Sequence, residues 1–128
     1  MIVADTDVLI DYLAGTHSIA DQVKSYIESD RFQTTAVSCF ELLSGAGDNR
    51  RGDEVRRLLA AIPVLALDRE GATQAAIVRQ QLSSDGLSIG MGDSLIAGIA
   101  LANDLPLFTR NLKHFENVRN LDLIPAIR

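Results

Sequence analysis

Short β-rich apolar runs alternate with longer stretches of helical periodicity along the whole chain, and that alternation leaves few folds open. Residues 2–5 form an apolar run closed by Asp5, after which Val8, Leu9, Tyr12 and Leu13 recur at helical spacing until Gly15. Ile19, Ala20, Val23, Tyr26 and Ile27 predict a helix over 18–29, and 32–37 is β-rich. Ser38 then caps a helix carrying Phe40, Glu41 and Leu42, broken by Gly45 and Gly47. A helix over 54–62, stopped by Pro63, precedes a short apolar segment at 64–67, and 68–82 is helical again. A loop over 86–92 leads into a helix over 93–103, then strands at 105–109 and 121–124. The order predicts an α/β fold with a mainly parallel central sheet flanked by helices.

The 128 residues, 47% of them apolar, suffice for one packed core and are too few for two ordinary domains, so a single domain over 1–128 is expected. There is no long apolar span and no leader pattern at the N-terminus, which predicts a soluble, cytoplasmic protein with no membrane partner. Cys39 is the only cysteine, which excludes an internal disulfide and a four-cysteine zinc site. A net charge of −5 argues against binding nucleic acid through a broad basic face. It does not exclude RNA as a substrate, because carboxylates that hold divalent cations make the local field positive.

Three acids stand where chemistry is expected. Asp5 ends the first strand, where open α/β sheets place their ligands; the alternative is that it only caps the following helix. Glu41 sits between Phe40 and Leu42 in an uncharged segment, so it is either buried and compensated by a cation or exposed on a short amphipathic helix. Asp93 begins a helix face continued by Ile96, Ala97, Ala100 and Leu101, and is either a site carboxylate or a first-turn acid favoured by the helix dipole. If the three converge, oxygen ligands of this kind suit magnesium or manganese and phosphodiester hydrolysis by an activated water.

Four segments in order, 2–10 (IVADTDVLI), 36–45 (AVSCFELLSG), 92–98 (GDSLIAG) and 107–115 (LFTRNLKHF), resemble the PIN domain and, more narrowly, the VapC-like toxins of toxin–antitoxin pairs. The resemblance covers essentially the whole chain. It implies a metal-dependent endoribonuclease using Mg2+ or Mn2+, with Asp5, Glu41 and Asp93 as catalytic and metal-binding acids. Thr6, Asp7, Thr109 and Asn111 are supporting candidates. The implied partners are an RNA substrate, a cognate antitoxin protein and a second copy of the chain. The departure is a fourth acid, which many relatives carry in the segment matching 109–115; here Asn111 brings no charge, which favours one firmly bound metal over two.

Two other readings carry less. The Asp5, Thr6, Asp7 run also resembles the first motif of haloacid-dehalogenase-like phosphatases, but neither Lys24 nor Lys113 fits the lysine that chemistry needs, and Glu41 would have no role. A catalytically inactive PIN-like module that only binds RNA or protein is the other. Cys39 reads as core, His17 as a loop residue and His114 as an exposed residue on a turn near the site. Arg50, Arg51, Arg56 and Arg57 read as a solvated helix face, and Asp7 with Asp11 as a solvent-facing pair. Leu9, Leu13 and Tyr26, on the early helices, are candidate dimer contacts.

Overall fold

The computed structural model describes residues 1–127; Arg128, the last residue of the expected domain, lies outside them. The elements run β1 (Ile2–Ala4), α1 (Thr6–Leu13), α2 (His17–Glu28), β2 (Phe32–Thr35), α3 (Ala36–Ser44), α4 (Arg50–Ala61), β3 (Val64–Leu65), α5 (Arg69–Ser84), α6 (Met91–Ala102), β4 (Leu107–Thr109), α7 (Leu112–Phe115) and β5 (Leu123–Pro125). The strands form one sheet in the order β3-β2-β1-β4-β5, and every pairing is parallel.

A parallel sheet covered on both faces needs strands that are apolar on both sides. β1 and β4 are buried along their whole length. Successive residues feed opposite cores. Ile2, Ala4 and Phe108 pack with Val8, Leu9, Ile19, Val23, Leu42, Val55 and Leu58 from α1 to α4. Val3 and Leu107 pack on the other face with Val78 and Leu82 of α5, Ile96, Ala97 and Ala100 of α6, and Phe115. α5 and α6 approach closely because the contact is made by small residues: a Cβ added to Gly98 would lie 2.6 Å from the backbone nitrogen of Ala75.

Side-chain caps fix several helix starts. Asn49 accepts from the Gly52 N–H to open α4, and Asp68 accepts from the Gly71 N–H to open α5. α3 begins earlier than its pattern predicts, because Thr35, not Ser38, is the cap and accepts from the Ser38 N–H. The chain therefore leaves β2 at Thr35 and turns helical three residues sooner. α4 likewise starts at Arg50, and its arginines are solvated, with Arg50 paired to Glu54 and Arg56 to Asp53. His17 is the first residue of α2 rather than part of a loop. Leu9 is fully buried and so offers no dimer contact, while Leu13 and Tyr26 pack against the same core and stay half-buried. Cys39 is half-buried on α3. No helix among the described residues is long and apolar enough to cross a membrane.

Candidate active site

With β2 on one side of β1 and β4 on the other, the chain reverses its direction of sheet growth between β1 and β4. Crevices beyond the carboxyl ends of strands at such a switch are where open α/β sheets bind ligands. Asp5 follows β1 there, and Thr109 ends β4 beside it.

Asp5 is 4% exposed and both of its oxygens are engaged. The Thr6 N–H donates to Oδ1 at 2.8 Å, so Asp5 does cap α1, and the Thr109 hydroxyl donates to Oδ2 at 2.8 Å. Burial pushes the Asp5 carboxyl up from 3.8 to about 7, and the charge of Asp7 pushes it the same way; the two hydrogen bonds pull it down, and Asp93 adds a smaller upward push. Capping and site chemistry are thus two uses of one carboxylate. The buried acid repelled by its acidic neighbours is the position where a cation would relieve the most.

Asp7 and Asp11 are buried, against the expectation that they face solvent, because the corner between β4 and α7 folds over the first helix. Asp7 Oδ2 accepts from the backbone N–H groups of Arg110 at 3.0 Å and Asn111 at 3.1 Å. Asp7 Oδ1 is buried without a hydrogen-bond partner among the described residues. Burial raises the Asp7 carboxyl, with the Arg110 N–H the main influence holding it down. Asp11, 4% exposed, faces the Arg110 guanidinium at 3.0 Å. The two acids clamp the 109–111 corner onto α1. Helix spacing places them on one face, but only the tertiary fold supplies the donors that make burial tolerable.

Glu41 is exposed, the second of the two readings that its sequence context left open. α3 turns Ser38 and Leu42 inward, which leaves Phe40 69% exposed and Glu41 at the rim. Its Oε1 is 2.8 Å from the Thr6 hydroxyl, which is also 2.8 Å from the Ser38 hydroxyl. A carboxylate only accepts, so the single Thr6 proton goes to Glu41 and Ser38 turns its own proton to Thr6. The Oε2 atom lies 3.5 Å from where a Cβ on Gly92 would be, next to Asp93.

Asp93 opens α6, with Ile96, Ala97 and Ala100 buried behind it. Its side chain is 30% exposed, and Oδ2 lies 3.1 Å from His114 Nδ1. His114, read from the sequence as a turn residue near the site, sits on α7, a four-residue helix too short to leave a periodic signal. Asn111 precedes α7, and it is its backbone N–H, donating to Asp7 and to the Thr109 hydroxyl, that the hydrogen bonds tie into the cluster.

The donors are all oxygen, which suits magnesium or manganese and not zinc or copper. As they stand, no three histidine, cysteine, aspartate or glutamate side chains among the described residues are arranged to hold an ion by themselves. Magnesium does not need that, since it keeps most of its water and takes one or two carboxylates plus substrate phosphate. Asp93 is near enough to Asp5 for its charge to act on that carboxyl, and an apolar pocket of about 400 Å³ lined by Val37, Phe40, Met91 and Leu95 borders the site at Glu41.

A family model described as "PIN domain" matches residues 2–121. The chain is 36% identical to ribonuclease VapC10 of Mycobacterium tuberculosis over 115 residues, covering 90% of this chain and 86% of the relative. Its fold matches that of DNA-bound VapBC from Salmonella typhimurium, with a TM-score of 0.86 at 22% identity over 99% of this chain and 100% of the other. It also matches a chain of a toxin-antitoxin complex from Klebsiella pneumoniae, with a TM-score of 0.82 at 19% identity over 100% of this chain and 99% of the other. With a family model matching residues 2–121 and a 36%-identical relative matched over most of both chains, this chain belongs to the PIN-domain family.

Proposed function

We propose that this chain is a divalent-metal-dependent endoribonuclease, the toxin of a toxin–antitoxin pair, acting where Asp5, Glu41 and Asp93 meet beyond the sheet. The observation that carries the reading is the Asp5 carboxyl, buried at the sheet's switch point, beside Asp7 and pushed up to about 7. The ribonuclease name of the 36%-identical relative supports RNA as the substrate, and the toxin–antitoxin complex among the structural neighbours supports a protein antitoxin.

In this reading Asp5 and Asp93 would hold Mg2+ or Mn2+, with Glu41 beside them. Such an ion polarises the phosphate and makes water a better nucleophile near neutral pH. The chain's own residues do the placing. Thr109 and the Thr6 N–H fix both oxygens of Asp5, so its carboxylate does not rotate. Glu41, steered by the Thr6 hydroxyl, stands at the open rim to take a proton from the attacking water. Asp7 and Asn111 support the corner from which Thr109 projects. With no carboxylate at Asn111, one ion is the expected stoichiometry. The chain works in the cytoplasm as a homodimer, and the exposed Phe40 and Met91, at 69% and 68%, supply apolar surface for a protein contact.

Labelled RNA incubated with the purified chain tests this reading. Cleavage in Mn2+ is expected to stop with excess EDTA and to fall at least about 100-fold in Glu41→Gln, whose exposed site keeps the fold intact. Cleavage that survives EDTA contradicts the metal. RNA that is bound and left whole points to the inactive module, and phosphate release from a small phosphomonoester points to the phosphatase.

A further inference from the structure

We propose that His114 is a positioning residue of the metal centre, fixing the rotation of the Asp93 carboxylate; this rests on the nuclease reading above. Its Nδ1 lies 3.1 Å from Asp93 Oδ2. An ionised carboxylate cannot donate, so Nδ1 carries the proton and Oδ2 accepts it. The bond fixes the rotation of the carboxylate and leaves lone pairs on both oxygens, as the bonds from Thr6 and Thr109 do for Asp5.

The contact is built into the fold rather than left to a swinging side chain. His114 is followed by Phe115, which is fully buried in the core under α6. The His114 N–H donates to the Asn111 carbonyl at 3.1 Å, and the Asn111 N–H is in turn held by Asp7. The imidazole is therefore delivered to Asp93 by a short helix anchored at both ends, one of them through the buried Asp7. The ring itself is 56% exposed, so it adds little to core packing, and its removal is expected to leave the fold standing. The segment that lacks a fourth acid thus contributes a donor to an existing acid. Hydrogen-bond partners that orient ligating carboxylates typically change metal affinity by about 10–100-fold when removed.

The test compares wild type, His114→Ala and His114→Asn, whose side-chain amide can place an N–H near the position of Nδ1. Mn2+ affinity is read directly from the electron paramagnetic resonance signal of free Mn2+, without RNA. The expected result is a loss of about 10-fold or more in His114→Ala and recovery to within about threefold of wild type in His114→Asn. For RNA cleavage, kcat falls in His114→Ala while KM stays within about twofold, because the ring acts through Asp93 and not on RNA. Unchanged Mn2+ affinity in His114→Ala overturns the proposal and leaves the nuclease reading intact, as does an Asn variant as weak as the Ala variant. A rise in KM alone overturns it in favour of an RNA contact. If wild type binds no Mn2+, both readings fall together.

Discussion

Replacing Asp5 by Asn is expected to make the metal-free protein more stable at pH 8 while removing its activity. A carboxyl whose folded-state value lies above its unfolded value binds more protons when folded, so rising pH favours the unfolded chain. The penalty is absent below about pH 4, grows as pH rises from 3.8, and is complete above about 7. At about 1.4 kcal/mol per pH unit the gap amounts to roughly 4 kcal/mol, an upper bound because Asp7 shares the repulsion. An amide loses that charge and keeps the partners: Oδ1 still accepts from Thr6, and the amide NH2 can donate to the Thr109 hydroxyl, which then turns its proton toward Asp7. We expect Asp5→Asn to gain about 1–3 kcal/mol in urea denaturation at pH 8 in EDTA, with the gain shrinking steadily toward pH 5.5. Excess Mn2+ should reverse the order, because an ion at 1,000 times its Kd adds about 4.1 kcal/mol to wild type and nothing to the variant. An Asp5→Asn protein that is less stable than wild type at pH 8 in EDTA, or a difference that ignores pH, refutes the reasoning.

Thr109→Val keeps the shape of a fully buried side chain but removes the donor to Asp5 and an acceptor for the Asn111 N–H. It should cost about 1–3 kcal/mol at pH 8 and less at pH 5.5, where Asp5 is neutral, as read by urea denaturation. Gly98→Ala places a methyl group 2.6 Å from the Ala75 nitrogen and 2.7 Å from its Cβ, a contact between helix backbones that no rotamer relieves. A loss of about 3 kcal/mol is expected, seen as a lowered denaturation midpoint.

The parts legible in the sequence were those with a local cause. Alternating apolar runs and helical periods predict five strands and the layers around them, because each element's pattern is set by which faces it buries. Asp5 was legible for the same reason, since the end of a first parallel strand is a defined place. Asp93 was legible from the buried face of Ile96, Ala97 and Ala100 behind it. What the sequence hid depends on distant contacts. Asp7 and Asp11 look solvated until Arg110 and Asn111, about a hundred residues on, fold over them. Whether Glu41 is buried stays open in the sequence, because its neighbours Phe40 and Leu42 are both apolar; the helical turn sends Leu42 inward and Phe40 outward. His114 lies on a single helical turn whose place beside Asp93 is fixed by Phe115 in the core. Nothing local in the sequence marks that contact.

The central claim is that the carboxylates of Asp5 and Asp93 share a divalent cation at the switch point of the sheet. Anomalous diffraction from a crystal soaked in Mn2+ tests it most directly. The account predicts one strong peak at metal–oxygen distance, about 2.0–2.2 Å, from an oxygen of Asp5 and from an oxygen of Asp93, with Asp93 Oδ2 still on His114. Repeated soaks at saturating Mn2+ that leave this position empty, or that place the ion away from both carboxylates, would contradict it.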